Sequence, residues 1–322
     1  TFVYKNQNRP KLIQKNSRYL ATIEAYNVGK LFGECAEHEI PRAAENISFF
    51  AKEVELWQDE AFWSKAKSLG KSVEMLSVVK RYPVGVCALI VPWNSPLMLA
   101  TWKIGPCLAA GNTCVLKPSP FAPLSILRLG ELANEAGLPR GVLNIVSGDQ
   151  EIGEFLIYSP KVDRVSFTGS VEVGKNIQIA NAGARFAPIS LELGGKAPNI
   201  VFGDADLDLA LNGVLRSAFR SQGQSCVAGS RLILQDTVYD EFLDLLKSRV
   251  KNLRIGDQFD QSTEIGPLIN QAHLKRVEDF IKYGRSEDAR LLTGGKKPEE
   301  VSKKVKTSRG AKVEEETVEA QV

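Results

Sequence analysis

Residues 84–120 read VGVCALIVPWNSPLMLATWKIGPCLAAGNTCVLKPSP. An apolar, β-rich run (Val84–Val91) ends in a proline-flanked turn, and a stretch with helical apolar spacing (Leu97–Ala109) follows. A Gly-Asn turn then leads into a second β-rich run, Thr113–Leu116. The same alternation continues: helix Leu124–Ala136, strand Val142–Val146, helix Ile152–Tyr158, strand Val162–Phe167, helix Val173–Ala182 and strand Ile189–Leu193. Strands alternating with helices over about thirty residues per unit predict an α/β fold with a parallel sheet covered on both faces. In such folds a nucleotide or other ligand sits at the C-terminal ends of the strands.

Working outward, residues 9–30 and 39–57 have helical spacing, for example Leu12, Tyr19, Leu20 and Ile23. A second series begins at Asn199, with helix Leu207–Phe219, strand Arg231–Leu234 and helix Tyr239–Val250. The boundary between the two series is placed at Leu193–Gly195. This divides the chain into a first domain (residues 1–193, with 71–82 as an oligomerisation arm) and a partial second domain (194–295). After Tyr283 there is no aromatic residue, and residues 296–322 are mostly Lys, Glu, Ser and Thr. Such a segment cannot bury enough apolar area to offset ordering its backbone, so it reads as a disordered tail.

Composition removes several function classes. A net charge of +3 over 322 residues gives no basis for a nucleic-acid or anionic-membrane partner. Val84–Val91, the longest strongly apolar stretch, is too short to cross a bilayer. Thr1–Arg18 has no apolar signal-peptide core, and because Thr1 is not a start methionine the natural start is expected upstream. Five cysteines without metal-ligand spacing read as reduced thiols, which points to the cytoplasm. The two histidines, His38 and His273, form no metal or triad pattern and read as surface or structural groups, so no metal is expected.

Five short segments carry chemistry. Gly223-Gln224-Ser225-Cys226-Val227-Ala228 holds a cysteine in a small, polar loop ahead of a strand. A free thiol ionises near pH ~8.5 and must be partly ionised to attack a carbonyl. Cys35, Cys87, Cys107 and Cys114 read instead as buried structural residues. Glu192, between Leu191 and Leu193, is expected at the end of an inner strand. Partial burial there would raise its carboxyl pKa and make it a general base; a solvent-facing strand end is the alternative. Asn94, in Pro92-Trp93-Asn94-Ser95-Pro96, is either an oxyanion donor or a turn residue. Phe167-Thr168-Gly169-Ser170-Val171-Glu172-Val173-Gly174 joins a strand to a helix whose first N–H groups suit a pyrophosphate. Lys117, at the end of the second core strand, could reach a ribose hydroxyl or stand in solvent.

Together and in this order, these segments resemble the aldehyde dehydrogenase superfamily from about Leu20 to Gly295. The resemblance implies a Rossmann-like cofactor domain followed by an α/β catalytic domain, and oxidation of an aldehyde to an acid with NAD or NADP. It implies Cys226 as nucleophile, Glu192 as base and Asn94 as oxyanion donor. It also implies that Val91 and Trp93 line the nicotinamide ribose and phosphate, that Lys117 contacts the adenosine ribose, and that Gly169, Ser170 and Gly174 form the pyrophosphate turn. The implied partner is a small aldehyde, and the relatives are homo-oligomers. Ile40-Pro41-Arg42, Phe49-Phe50 and Tyr82–Cys87 resemble the branch acting on muconic-type semialdehydes.

Departures qualify this. Pro120 stands where many NAD-preferring relatives carry a ribose-binding glutamate, which leaves NAD versus NADP open. Asp149-Gln150 replaces a second glycine after Gly148. The resemblance stops near Gly295, ahead of a nucleotide-gripping glutamate motif and a final strand of the relatives. From that stop, this form is expected to bind cofactor weakly, to turn nothing over and to aggregate or need a partner. The alternatives are an inactive nucleotide- or partner-binding protein and a cysteine esterase.

Overall fold

The computed structural model describes residues 9–297 apart from 69, 185 and 288. Residues 298–322 of the charged tail lie outside the described residues, so its expected disorder is not tested. The elements run α1 (Arg9–Lys15), α2 (Ser17–Val28), α3 (Phe32–Glu34), a π-helical turn (Cys35–Glu39) and α4 (Ile40–Glu53). Next come β1 (Glu60–Ser68), β2 (Lys71–Val79), β3 (Val86–Ile90), α5 (Pro96–Ala109), β4 (Thr113–Lys117), α6 (Leu124–Glu135) and β5 (Leu143–Ile145). After them are α7 (Gln150–Tyr158), β6 (Arg164–Gly169), α8 (Val171–Ala184) and β7 (Ile189–Leu193). The rest is β8 (Pro198–Val201), α9 (Leu207–Phe219), β9 (Arg231–Leu234), α10 (Tyr239–Lys251) and α11 (Gln271–Ser286).

β3 to β7 form a parallel five-stranded sheet in the order β5-β4-β3-β6-β7. The two-residue period of β3 sorts its side chains onto two cores. Cys87 and Leu89, followed by Val91, join Cys114 and Leu116 of β4 beneath α1, α2, α4, α5 and α6. Ala88 and Ile90 face the other way and pack with Val165 and Phe167 of β6, Leu156 and Ile157 of α7 and Ile177 of α8. Burial on both faces is why β3 reads as a continuous apolar run rather than an alternating one. The chain winds from β3 to β5 with its helices on one face. It then returns to β6 and β7 with its helices on the other, as a constant crossover hand requires. The strand order therefore reverses between β3 and β6, and a crevice opens there at the C-terminal ends.

β8 and β9 pair in parallel in a separate two-stranded sheet. With α9 and α10 they enclose a small core around Val201, Val214 and Phe242. β1 and β2 form an antiparallel hairpin on which Phe62, Trp63, Met75 and Leu76 are exposed. The arm read at 71–82 is its second strand plus the segment after it. Among the described residues no helix is long and apolar enough to cross a membrane.

Candidate active site

Three strand ends build the crevice. β3 runs out through Val91, which is buried and donates its N–H to the Lys117 carbonyl at 3.1 Å. Trp93 is half-buried, with the His273 ring edge-on at 5.3 Å. His273 thus stands against a residue of the crevice, a placement that its sequence neighbours did not signal. Lys117, at the end of β4, is buried rather than solvated. Burial lowers its pKa, against the opposing pull of Asp149. Among the described residues its ammonium reaches only the Pro118 carbonyl, at 3.4 Å, so its hydrogen-bonding capacity there is largely unspent.

β6 ends at Gly169, and Ser170 turns into α8 with its Oγ accepting from Val173 N at 3.3 Å. The first N–H groups of this helix face no earlier turn, which suits an anion, although the exposed Glu172 in the same turn opposes one. A Cβ on Gly174 would stand 2.6 Å from Leu193 Cδ2, so glycine lets α8 sit close on β7. These groups fit the diphosphate and ribose parts of a dinucleotide: backbone donors at β6, a buried ammonium at β4 and an aromatic wall at β3.

The cysteine loop approaches from the other unit. After α9 the backbone enters the left-handed region at two successive non-glycine residues, Ser221 (φ 53°) and Gln222 (φ 59°). Such residues cost about 1–3 kcal/mol each and persist only where their surroundings hold them. Here the ties are explicit. Ser221 Oγ and Arg220 Nε both donate to Glu34 Oε1, at 2.8 and 2.7 Å, and Gln222 Nε2 donates to the Gly29 carbonyl at 2.7 Å. Gly29 has φ 80°, and a Cβ there would lie 2.5 Å from the Pro267 carbonyl oxygen, so this junction admits only glycine. Burial works against ionising Glu34, but Lys30, Ser221 and Arg220 outweigh it and lower its pKa.

Asn94 and the cysteine loop meet directly: Asn94 Nδ2 donates to the Gln224 carbonyl at 2.9 Å. Cys226 follows two residues later in a turn closed by Ala228 N to Ser225 O at 3.2 Å. Of the five cysteines, Cys226 alone is exposed. The other four are buried, as read from the sequence; burial pushes the Cys35 thiol up, and contact among Cys87, Cys107 and Cys114 raises Cys87 and takes Cys107 to about 12. Beside Cys226, a cleft of about 930 Å³ is lined by Ser95, Met98, Arg216, Gln224, Ser225 and Val227.

Glu192 corrects the sequence reading. It is exposed, and β7 is an edge strand of the five-stranded sheet rather than an inner one. Leu191 and Leu193 pack on the α8 side, so the residue between them points to the α5 side, level with Thr168. The turn after it nevertheless approaches the Cys226 loop: a Cβ on Gly195 would lie 3.5 Å from the Cys226 carbonyl oxygen. The desolvation expected of Glu192 falls instead on the half-buried Lys103 of α5. Lys103 donates to Ser166 Oγ at 2.8 Å; its pKa is lowered to about 8 by desolvation, with Glu192 opposing. Sequence reasoning missed Lys103; its only signal was a lone lysine in an apolar helix. Among the described residues no cluster of three metal-ligating side chains occurs.

Residues 7–310 match the aldehyde dehydrogenase family, a wider span than the motifs mark. The chain is 43% identical over 285 residues to 5-carboxymethyl-2-hydroxymuconate semialdehyde dehydrogenase of Escherichia coli, covering 88% of this chain and 58% of that protein. It is 41% identical over 291 residues to betaine aldehyde dehydrogenase of Bacillus subtilis, covering 90% and 58%. The crystal structure of PnpE from Pseudomonas sp. WBC-3, solved with nicotinamide adenine dinucleotide, superposes with a TM-score of 0.85 at 39% identity, over 92% of this chain and 59% of that one. The chain thus spans somewhat under two thirds of the length of each. With this match across most of its length, the chain belongs to the aldehyde dehydrogenase family.

Proposed function

We propose that this site oxidises an aldehyde to a carboxylic acid through a covalent intermediate on Cys226. The observation that carries the reading is the Asn94–Gln224 bond, which holds an amide from the end of the parallel sheet against the loop of the exposed cysteine. An asparagine amide has two N–H donors. One goes to Gln224; the other is left for an oxyanion on a carbon attacked by Cys226. The Cys226 N–H has no acceptor among the described residues and supplies a second donor.

In this reading Cys226 Sγ adds to the aldehyde carbonyl and gives a thiohemiacetal, whose oxyanion Asn94 and the Cys226 N–H stabilise. A nicotinamide cofactor, NAD or NADP, supplies the hydride acceptor when bound. Val91 and Trp93 would hold its nicotinamide end, Gly169, Ser170 and the start of α8 its diphosphate, and Lys117 its adenosine ribose. The thioester left on Cys226 is hydrolysed by water that gives its proton to Glu192, freeing the acid and the thiol. Glu192 needs no burial for this, since water must reach the thioester. The exposed Pro120 offers no carboxylate to repel a 2′-phosphate, so both cofactors are admitted. Aldehyde-dependent reduction of NAD or NADP, lost in Cys226→Ala, is the expected result. No reduction with either cofactor across cationic, anionic and neutral aldehydes would overturn the reading.

A further inference from the structure

Helix α5, which follows Asn94, is capped from outside. Ser95 holds the N-cap position and is buried, yet its hydroxyl makes no bond to its own helix. An N-cap serine ordinarily accepts the N–H of the second or third helical residue. Here Lys30 Nζ donates to Ser95 Oγ at 2.8 Å, while Glu24 Oε1 accepts the Leu97 N–H at 2.9 Å. Lys30 also donates to Glu39 Oε1 at 2.8 Å, and Ser125 Oγ to Glu24 Oε1 at 2.5 Å. Glu24, Lys30, Glu39, Ser95 and Ser125 are all buried. The local cap has been exchanged for ties to α2, to the turn after it and to the π-helical segment, whose wider turn buries Glu39.

The charges in this cluster are unequal. Two carboxylates face one ammonium, and Glu24 Oε2 and Glu39 Oε2 are both buried without a hydrogen-bond partner among the described residues. Cys35 lies beside them with its thiol pushed up, and Glu34 stands further out on Arg220. α5 and α6 contribute only hydroxyls and an N–H. One proton on Glu24 would bring the cluster to zero net charge and turn an orphaned acceptor into a donor. Burial pushes Glu24 up to about 7, in the same direction.

We propose that Glu24 and Lys30 are positioning residues for Asn94: with one proton held on Glu24, they replace the serine cap of α5 and fix where the Asn94 amide meets the cysteine loop. This rests on the reading of Asn94 as the oxyanion donor. It also joins that donor to the substrate cleft, because Glu37 and His38 of the same π-helical turn line its wall.

The test uses the full chain and the variants Lys30→Met, Glu24→Ala and Glu24→Gln, with Lys30→Met repeated on Asn94→Ala. Lys30→Met should lower kcat about tenfold or more with cofactor affinity unchanged, since a misplaced donor loses its transition-state bond. On Asn94→Ala it should cost no more than about twofold, because the two act as one unit. Glu24→Ala should lose activity and Glu24→Gln, which mimics the protonated acid, should restore it. Equal losses from Lys30→Met with and without Asn94 would overturn the proposal, as would Glu24→Gln behaving like Glu24→Ala. Should Lys30→Met not fold, Ser95→Ala removes the same tie and is read the same way. If the wild type oxidises no aldehyde, the proposed reaction fails. Deuterium uptake then decides the positioning: faster exchange in Lys30→Met confined to residues 94–101 supports it, and unchanged exchange there overturns it.

Discussion

Replacing Glu24 by glutamine should make stability less sensitive to pH, and the size follows from the site. The carboxyl is fully buried, and its pKa rises from 4.5 to about 7, mainly by desolvation, against the Ser125, Leu97 and Lys30 contacts that favour the charged form. A carboxyl raised on folding contributes stability that is fully present below its unfolded pKa and is lost as pH rises through the folded value. The loss from about pH 4.5 to beyond about pH 7 amounts to about 3 kcal/mol. Glutamine keeps an oxygen for Leu97 N–H and Ser125, cannot ionise, and replaces the unpaired Glu24 Oε2 by an N–H₂. The variant should therefore gain about 2.5 kcal/mol on the wild type between pH 5 and pH 8. Lys103, whose pKa is lowered to about 8, titrates in the same window but is common to both proteins, so it cancels in the difference. Urea unfolding of both proteins at the two pH values gives the number directly. A wild-type-minus-variant difference that changes by less than about 1 kcal/mol between them would refute the reasoning.

Three further outcomes are expected. In a chain that carries a complete catalytic domain, Cys226→Ala should abolish aldehyde oxidation and leave cofactor binding intact by titration; turnover above about a tenth of wild type would exclude a covalent role. Glu192→Gln should let an acyl adduct build up on Cys226, visible by mass spectrometry under single turnover, and should also lower the Lys103 pKa below about 8, since the opposing carboxylate is gone. Pro120→Glu should shift cofactor preference toward NAD, and unchanged relative affinities would show that the ribose is read elsewhere.

The parallel sheet was legible because burial on both faces leaves a long apolar run at β3 and a shorter one at β4, followed by strands and helical periods in alternation. The β1–β2 hairpin was not. Phe62 and Trp63 are adjacent, as are Met75 and Leu76, and all four are exposed, so no core imposed a two-residue period on them. α11 went unread although Leu274, Val277, Phe280 and Ile281 recur at helical spacing, and none of its residues is buried. The π-helical turn has no local signature at all. It is visible only through what it buries, Cys35 and Glu39.

The site divides along the same line. Residue types that do chemistry stood out as motifs, whereas the ties that assemble them are long-range. Asn94 and Gln224 are 130 residues apart, and Gln222 and Gly29 are 193 apart. Glu192 shows what goes wrong when burial is inferred from neighbours: flanking leucines describe the opposite face of a strand, because successive side chains alternate. Its own face holds Ser166 and Lys103, and the desolvation read into the glutamate belongs to the lysine. The difference is chemical. A buried glutamate would reach neutrality by losing charge, whereas here an exposed carboxylate stays open to water and a half-buried ammonium near pH 8 is the group whose charge is marginal. A carboxylate proposed to take a proton from water profits from that arrangement, because solvent access supplies its reactant.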